Sequence, residues 1–391
     1  MSAAREPLDV AAIVAAVDEV LAAATRPIAL HEPRFGGREL DYLGECIRTG
    51  WVSSAGAFVD RFEEEIARFT GARHAVLTVN GTAALHVALL AAGVSRDDEV
   101  IIPALTFVAT ANAVRYCGAI PHFADSEERT LGLDPSKLAE HLAQISDVHD
   151  GRCINRQTGR RIAAVVPMHT FGHPVDMAPL LDTCRTYGLP VIEDAAESLG
   201  SHYHGRHTGT LGRLGVLSFN GNKVVTTGGG GALLTDDPNL ARSLRHLTTT
   251  AKLPHAWEFR HDEVGYNYRM PNLNAALGCA QLEQLPAFLE AKRALAARYA
   301  QALSRITGAR FFVEAPGVTS NYWLNALLLD REDTGARDAL IEALHKERIH
   351  VRPAWTPMPL LPMYRGCPAM DLRTTKSLHA RLVNLPSSPH L

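Results

Sequence analysis

The chain has 391 residues, of which 46% are hydrophobic and 21% charged, a balance typical of a folded protein rather than a disordered one. Its 39 basic and 42 acidic residues give a formal net charge of -3, which argues against a basic surface built for nucleic acid or for an anionic membrane. No stretch approaches the ~20 uninterrupted apolar residues that a membrane helix needs. The scattered cysteines form no CxxC pair, so reduced thiols are expected rather than a zinc ribbon or a disulfide framework.

The first 30 residues are rich in alanine and predict an N-terminal helical segment. Asp9, Asp18 and Glu19 interrupt the apolar run, and a basic n-region is missing, so the segment is a poor match to a secretion signal. We expect a cytoplasmic protein whose N-terminal helix packs against one of its domains. The sequence leaves open which domain that is.

From about residue 75 to residue 250, strand-like and helix-like runs alternate. The predicted strands span residues 75–79, 99–104, 120–125, 162–169, 190–195, 215–220 and 230–236. The predicted helices span residues 82–93, 106–118 and 176–188, and a further helix begins after the N-cap Asp134. Strands separated by helices imply βαβ units. The pattern therefore predicts an α/β fold with a mostly parallel, mixed sheet that helices cover on both faces.

Beyond residue 250 the pattern changes to a long helix over 272–306, an apolar run at 322–330 and another helix over about 334–348. This succession predicts a smaller C-terminal α+β domain that is reached through the long helix. The predicted division of the chain is an N-terminal segment (1–30), a large domain (31–250) and the long helix with the small domain (251–391).

The first candidate for chemistry is the turn Asn80-Gly81-Thr82-Ala83, which lies between a predicted strand and a predicted helix. Glycine allows a sharp turn and a close approach to a ligand, and the free N–H groups of a helix start attract anions. A plain turn with Thr82 as the N-cap explains the same residues. The chain contains neither a GxxxxGK loop nor a GxGxxG fingerprint, so a phosphate site at this turn would be of another type.

The second candidate is the acidic pair Glu193-Asp194, at the end of another apolar strand. In open α/β sheets, ligands lie at the carboxyl ends of the strands. An aspartate in this position can anchor a cofactor, bind a metal or cap a helix. The residues alone leave these three interpretations of Asp194 open.

The third candidate is Lys223, whose surroundings differ from those of most other lysines in the chain. Most of them lie in helical stretches rich in glutamate and arginine, whereas Lys223 follows the strand that ends near Ser218 and precedes four glycines at 228–231. Burial lowers the pKa of a lysine and frees its lone pair for attack on an aldehyde, as Schiff-base chemistry requires. The alternative is an ordinary lysine in a surface loop.

Together the three candidates offer the parts that pyridoxal 5'-phosphate requires. A helix start can hold the phosphate, a carboxylate can keep the pyridine nitrogen protonated so that the ring acts as an electron sink, and a lysine can bind the aldehyde. Phe107, just after a strand end, is a candidate to stack on the ring.

Five stretches of the sequence resemble one known family over nearly the whole chain. They are NGTAALHVAL, PALTFVATANAV, VIEDAAESLGS, SFNGNKVVTTGGGGALLT and GYNYRMPNLNAALGCAQL. In this order they are similar to the DegT/DnrJ/StrS sugar aminotransferases, which are pyridoxal-phosphate enzymes of fold type I that aminate keto groups on nucleotide-linked sugars. LHEPRFGGREL, GWVSSAGAFVDRFE and VRPAWTPMPLLPMY further resemble the branch that makes 4-amino precursors of bacillosamine and legionaminic-type sugars.

The resemblance implies a role for each residue that matches the family. Lys223 would bind the cofactor covalently and later move a proton between the cofactor carbon and the substrate carbon. Asp194 would pair with the pyridine nitrogen, and Phe107 would stack on the ring. Glu197 stands where many relatives carry a glutamine that contacts the hydroxyl side of the ring.

The resemblance also implies how the phosphate is held, namely by Gly81, Thr82, Ala83 and Ser218. Asn267, in GYNYRM, would reach the phosphate of the neighbouring subunit, which implies a homodimer with shared active sites. Relatives that dehydrate rather than aminate carry a histidine in place of the lysine. The presence of a lysine at position 223 therefore favours transamination.

One single histidine and one cluster of three are less strongly indicated as functional residues. His169 matches a strand-end histidine of the family near the cofactor, but a packed imidazole explains it equally well. His202, His204 and His207 have the spacing HxHxxH, yet no carboxylate or cysteine pattern completes a metal site around them, so no metal is expected.

We therefore expect transfer of an amino group, with glutamate as donor, to C4 of a UDP-linked 4-keto-6-deoxy-N-acetylhexosamine in surface polysaccharide biosynthesis. The first alternative is a sister enzyme that acts on a GDP- or dTDP-linked 4-keto-6-deoxy sugar. The second is a non-catalytic scaffold, against which Lys223 argues. No nucleic acid or membrane partner is expected.

Overall fold

The structure is a computed structural model that describes residues 8–391, so residues 1–7 of the predicted N-terminal segment lie outside the described part. The helices are α1 Val10–Val20, α2 Glu39–Thr49, α3 Ala57–Thr70, α4 Gly81–Ala91, α5 Val108–Tyr116, α6 Pro135–Ile145, α7 Met177–Thr186, α8 Pro238–Thr248, α9 Asn272–Leu303, α10 Thr334–Lys346 and α11 Arg373–Arg381. The strands are β1 His74–Thr78, β2 Glu99–Pro103, β3 Ile120–Ala124, β4 Ser146–His149, β5 Arg152–Asn155, β6 Arg161–Val165, β7 Ile192–Asp194, β8 His202–Tyr203, β9 Arg206–His207, β10 Leu214–Ser218, β11 Gly231–Thr235, β12 Ala309–Phe311, β13 Val318–Thr319, β14 Asn325–Leu329, β15 Arg352–Pro353 and β16 Leu382–Leu385.

A mixed sheet in the order β1-β11-β10-β7-β6-β2-β3 forms the centre of the molecule. Strands β7 and β6 meet through parallel bridges, one of which joins Val165 to Val191. Strand β11 runs antiparallel to both of its neighbours, and the other neighbouring strands are parallel. No helix separates β10 from β11, and β11 runs antiparallel to β10, because a parallel crossover is usually made by an α-helix. The predicted α/β fold with a mostly parallel, mixed sheet is confirmed.

Both faces of the central sheet are buried, as its apolar strands predicted. Val76 and Leu77 of β1 point to opposite faces because side chains alternate along a strand. Leu77 belongs to a core that includes Phe62 of α3 and Ala276 of α9. Val76 belongs to a second core, which the sheet forms with α4, α5 and α8. The sheet is therefore the middle layer of three. The ends of its strands lie at an edge of the sheet that neither helical layer covers.

The C-terminal part contains an antiparallel sheet in the order β12-β14-β16-β15. Helix α1 packs against this part rather than against the large domain. Its residues Ile13 and Val17 are buried in one core with Tyr299 of α9 and Leu340 of α10. The structure thus answers the question that the sequence left open about the N-terminal helix.

Helix α9 connects the two cores. Ala276, in its first half, lies in the core of the large domain, and Tyr299, in its second half, lies in the core of the small one. The division into 1–30, 31–250 and 251–391 stays a prediction. Helix α9 lies wholly within 251–391, but its first half packs in the core of the large domain.

Several elements lie outside the sequence predictions, among them α2, α3, α8, α11 and the hairpin β4–β5. Helix α8 nevertheless has a clear start signal, because the Asp237 side chain accepts from the N–H groups of Asn239 and Leu240. The predicted N-cap Asp134 of α6 is confirmed by the same type of contact. Within residues 8–391, no helix is both long and apolar enough to cross a membrane.

Candidate active site

A cavity of about 610 Å³ lies at the carboxyl ends of the central strands. It is lined by most of the site residues that the sequence predicted, namely Gly81, Thr82, Phe107, Asp194, Glu197, Ser218 and Lys223. The small domain contributes the opposite wall, which includes Trp323, Arg352 and Trp355. Residues far apart in the chain therefore meet where the topology of an open α/β sheet places a ligand.

The first wall of the cavity is the start of α4. Asn80 caps this helix, since its Oδ1 accepts from the N–H of Ala83 at 2.8 Å. The N–H groups of Gly81 and Thr82 come first in the helix and have no acceptor within it, so they and the helix dipole favour an anion. Ala83 does not line the cavity, and its N–H is already committed to the cap. Asn80, rather than Thr82, is thus the N-cap.

Two glycines allow this wall to form, because backbone segments approach one another closely here. A Cβ at Gly81 would lie 3.0 Å from the Cβ of Ser218, and a Cβ at Gly231 would lie 2.6 Å from the carbonyl carbon of Asn80. The end of β10 is therefore pressed against the start of α4. As a result, the Ser218 hydroxyl is beside the free N–H groups of the helix.

The two acidic residues at the end of β7, Glu193 and Asp194, point in different directions and have different roles. Glu193 points away from the cavity and accepts from the N–H groups of Gly209, Leu211 and Gly212 at 2.6–2.8 Å. His169 lies 3.0 Å from the Glu193 carboxylate through Nε2, while its Nδ1 accepts from the Val175 N–H. Burial opposes the ionisation of Glu193, but the hydrogen bond from His169 and those from the backbone outweigh it and lower the pKa.

This network makes His169 a packed imidazole that is fully buried and held on both ring nitrogens. His169 is not among the residues that line the cavity. The structural interpretation of this histidine is therefore the better supported of the two that the sequence allowed.

Asp194 points into the cavity from the same strand. Its Oδ2 accepts from the Thr110 hydroxyl at 2.7 Å, and its Oδ1 accepts from the Ala196 N–H at 3.2 Å. Burial raises the pKa of Asp194, against the opposing effects of these two hydrogen bonds and of the Lys223 charge. A buried carboxylate of this kind is stabilised by a cation, and a protonated ring nitrogen would supply one.

Lys223 lies between a carboxyl group and an aromatic face. Its Nζ is 3.4 Å from Oε1 of Glu197 and 3.8 Å from the centre of the Trp323 ring. Trp323 is fixed in turn, since its Nε1 donates to the carbonyl oxygen of Asn222 at 2.7 Å. These contacts hold the amine at the cavity wall, in a partly desolvated position from which it can meet a bound ligand.

Glu197 contacts the lysine amine in this structure. Its other carboxyl oxygen accepts from the Phe171 N–H at 2.9 Å, so both carboxyl oxygens have a hydrogen-bond partner. Burial raises the pKa of Glu197 to about 7, and the charge of Lys223 opposes this rise. Near neutral pH this carboxyl can therefore exchange a proton with groups beside it.

The remaining two predicted residues differ in their relation to the cavity. Phe107 is 49% exposed and lines it, because α5 begins only at Val108 and leaves Phe107 in an extended conformation. Asn267 is exposed and does not line the cavity of its own chain. It does not cap α9 either, since that helix starts at Asn272 after Pro271.

The three histidines with HxHxxH spacing do not point to a common centre. His207 is buried, and its Nε2 accepts from the Gly200 N–H at 2.8 Å. Burial lowers the pKa of His207 to about 3, with the neighbouring His202 acting in the same direction. His207 is therefore a structural residue of this loop.

Sequence reasoning missed three residues of the site: Thr110, Trp323 and His31. Thr110 had a signal, because it lies in the first turn of α5 within TFVATAN, the same motif that suggested Phe107. Trp323 lies in none of the motifs that suggested the site. His31 lies in LHEPRFGGREL, which resembled the bacillosamine branch without pointing to the site, and only the fold brings both residues to the cavity of Lys223.

This arrangement fits pyridoxal 5'-phosphate. The free helix N–H groups beside Ser218 suit the phosphate, buried Asp194 suits a protonated ring nitrogen, and Lys223 suits the aldehyde. A cavity with these groups on a mixed α/β sheet is typical of fold type I pyridoxal-phosphate enzymes.

Comparison with known proteins identifies the family. The chain belongs to the DegT/DnrJ/EryC1/StrS aminotransferase family, whose profile matches residues 33–391. It is a pyridoxal phosphate-dependent sugar aminotransferase, as the sequence motifs predicted.

Three relatives illustrate the likeness. A GDP-perosamine synthase of Caulobacter vibrioides is 38% identical over 362 residues, which cover 92% of this chain and 93% of the relative. A GDP-perosamine synthase of Vibrio cholerae is 37% identical over 365 residues, or 93% of this chain and 95% of the relative. The solved structure of DesI in the presence of its TDP-sugar product superimposes with a TM-score of 0.82 at 32% identity, covering 94% of this chain and 90% of DesI.

Proposed function

We propose that this enzyme transfers an amino group, with glutamate as donor, to C4 of a GDP-linked 4-keto-6-deoxyhexose. The observation that carries this proposal is the similarity to two GDP-perosamine synthases over more than nine tenths of the chain. It favours the GDP-linked alternative over the UDP-linked N-acetylhexosamine that the sequence first suggested. The UDP-linked sugar remains the second candidate, on the strength of the three stretches that resemble the bacillosamine branch.

Bound pyridoxal phosphate supplies the aldehyde and the electron sink that amino transfer needs. Lys223 would bind that aldehyde and move a proton on its Nζ, while Glu197 beside it would keep the amine in place. Asp194 would keep a proton on the pyridine nitrogen, and Thr110 orients the Asp194 carboxylate. Phe107, which lines the cavity, would cover the ring.

The phosphate is bound by the start of α4 in this proposal. Gly81 and Thr82 donate their N–H groups, and Ser218 donates its hydroxyl. Ala83 supports this cradle through the Asn80 cap rather than by a direct contact.

We further propose a cytoplasmic homodimer in which Asn267 donates to the phosphate in the partner's site. The exposed position of Asn267, outside its own cavity, supports this arrangement. The preceding segment also leaves Trp257, Phe259 and Val264 about 80% exposed. An apolar group of this kind on the surface of one chain is typical of a surface that a partner covers.

A panel of nucleotide sugars tests the proposed substrate. The purified enzyme is given glutamate and a GDP-, UDP- or dTDP-linked 4-keto-6-deoxy sugar, and the amino-sugar product is measured. We expect the highest kcat/KM with the GDP-linked sugar. A clear preference for the UDP-linked N-acetylhexosamine would instead establish the second candidate, and no product with any of them would overturn the proposed class of substrate.

A further inference from the structure

His31 is a histidine of the cavity wall that the proposed reaction does not yet use. It lines the cavity together with Lys223, on the segment between α1 and α2. Both of its ring nitrogens are buried, and neither makes a hydrogen bond of normal geometry within residues 8–391, although the Asn222 carbonyl lies close to the ring. Buried polar atoms without normal hydrogen bonds are costly, so their place on a residue of the cavity wall points to a ligand as the missing partner.

The backbone around His31 is held firmly in place. The Leu30 carbonyl accepts from the Ser387 N–H at 2.9 Å, and the Glu32 N–H donates to the Ser388 hydroxyl at 2.8 Å. The residues on both sides of His31 are therefore tied to the C-terminal segment. The ring is pre-positioned, which lowers the entropic cost of binding a ligand.

The imidazole of His31 is neutral near neutral pH. Burial, followed by the positive charges of Lys292 and Lys223, holds the pKa of His31 well below its usual range. The Asn222 carbonyl beside the ring opposes this shift, and it also accepts from Trp323 Nε1. A neutral imidazole has one N–H donor and one acceptor, a combination that matches a hydroxyl group.

The position of His31 indicates which part of the substrate it faces. It is near enough to Lys223 for the lysine charge to lower its pKa. The carbon that receives the amino group must also come to Lys223, so the hexose lies there rather than the nucleotide. We propose that His31 hydrogen-bonds a hydroxyl group of the hexose next to the reacting carbon and thereby helps to select the sugar. This inference rests on the proposed function.

The test compares the wild-type enzyme with His31→Phe, which keeps a ring and removes both nitrogens. We expect the KM for the sugar nucleotide to rise by about tenfold, because a buried sugar hydroxyl would lose its partner. The affinity for the free nucleoside diphosphate and the rate of the half-reaction with glutamate should stay within about twofold. His31→Gln, which retains a donor and an acceptor, should keep the KM closer to that of the wild type.

His173→Phe is the matched control. His173 is also buried with two unpartnered ring nitrogens, but it packs against Phe312 and Tyr322 and does not line the cavity. The same substitution there should leave the KM unchanged.

Three results would overturn the role of His31 while leaving the proposed function intact. They are an unchanged KM, an equal loss of affinity for the free nucleoside diphosphate, and a half-reaction with glutamate that slows as much as the second half-reaction. A wild-type enzyme that turns over no sugar nucleotide would overturn both proposals.

If His31→Phe does not fold, ligand binding to the wild-type protein tests the role of His31. Its histidine rings are followed by NMR, and the His31 signals are identified by their absence in His31→Gln. The amino-sugar nucleotide product should shift them and the free nucleoside diphosphate should not. Equal shifts with both ligands, or no shift with either, would reject the contact with the hexose.

Discussion

At the scale of single residues, the site depends on where each charge is placed. Glu193 and Asp194 are neighbours on one strand, but the alternation of side chains sends one into a loop network and the other into the cavity. The Lys223 amine contacts the Glu197 carboxyl group on one side and the face of the Trp323 ring on the other. These directions separate the residues that maintain the fold from those that are positioned for chemistry.

Replacing Lys223 by alanine should abolish amino transfer while leaving the fold intact. The variant loses both the covalent attachment of the cofactor and the proton carrier, so the rate should fall by at least about a thousandfold. Turnover and the visible absorption of the purified protein, with and without borohydride, measure both effects. Lys346→Ala, at an exposed position of α10, is the control. A Lys223→Ala enzyme that works near the wild-type rate would show that the lysine is misassigned.

Asp194→Asn should bind the cofactor but slow the chemistry sharply. A neutral amide cannot hold the proton on the pyridine nitrogen, so the electron sink weakens. Cofactor content is read from the absorption spectrum and the rate from single turnovers, with exposed Asp182→Asn as the control. Loss of cofactor in Asp194→Asn, together with full retention in Thr82→Ala, would contradict the division of labour between the ring and phosphate contacts.

At the scale of secondary-structure elements, α1 stabilises the small domain although it comes from the opposite end of the chain. Ile13 and Val17 are completely buried between α9 and α10. The helix thus closes a core that the antiparallel sheet and α10 leave open on one side. Its apolar face, rather than its alanine content, is what decides where it packs.

Ile13→Ala should therefore reduce the free energy of unfolding by about 2–5 kcal/mol, because it removes buried methyl groups and leaves a cavity. Urea unfolding followed by circular dichroism measures the change. Glu19→Ala, on the exposed side of the same helix, should change it by less than about 0.5 kcal/mol. Equal stability of the two variants would mean that α1 does not pack as described.

At the scale of the whole molecule, buried histidines make the stability depend on pH. Burial lowers the pKa of His173 to about 3, below the 6.5 of a free imidazole, despite the opposing charge of Glu314. Between these two values the unfolded chain binds a proton that the folded chain does not. Stability should therefore fall as the pH decreases below about 6.5.

For His173 alone, this loss should amount to about 2 kcal/mol between pH 7.5 and pH 5, since each pH unit contributes about 1.4 kcal/mol. His173→Phe removes the titrating group, so its unfolding free energy should vary less with pH than that of the wild type. Urea unfolding at the two pH values measures the difference. Parallel curves for the two proteins would show that His173 is not held neutral by the fold.

The proposed assembly can be tested by mixing subunits. Lys223→Ala and Asn267→Ala proteins are combined and allowed to exchange. If Asn267 acts across the interface, a heterodimer has one site with both lesions and one site with neither, so activity should exceed that of either parent. If Asn267 acts within its own chain, every site carries one lesion. No recovery, with exchange confirmed and both parents impaired, would exclude the contact across the interface.

Local patterns in the sequence were sufficient to predict several features of this protein. Alternating apolar runs predicted the α/β fold, and polar residues at strand ends predicted Thr82, Asp194, Ser218 and Lys223 as residues of one site. The four residues line one cavity because the carboxyl ends of neighbouring strands meet at one edge of the sheet, and their roles stay a prediction. The family motifs extended the prediction to the cofactor and to amino transfer.

The contacts between distant parts of the chain became known only from the folded structure. It placed Trp323 against Lys223, brought His31 to the same cavity and packed α1 on the small domain. It also showed that the Ala83 N–H donates a hydrogen bond to the Asn80 side chain. Such contacts depend on how whole layers pack and on which backbone groups find partners nearby. A short stretch of sequence does not contain that information, because the same local pattern is compatible with many packings.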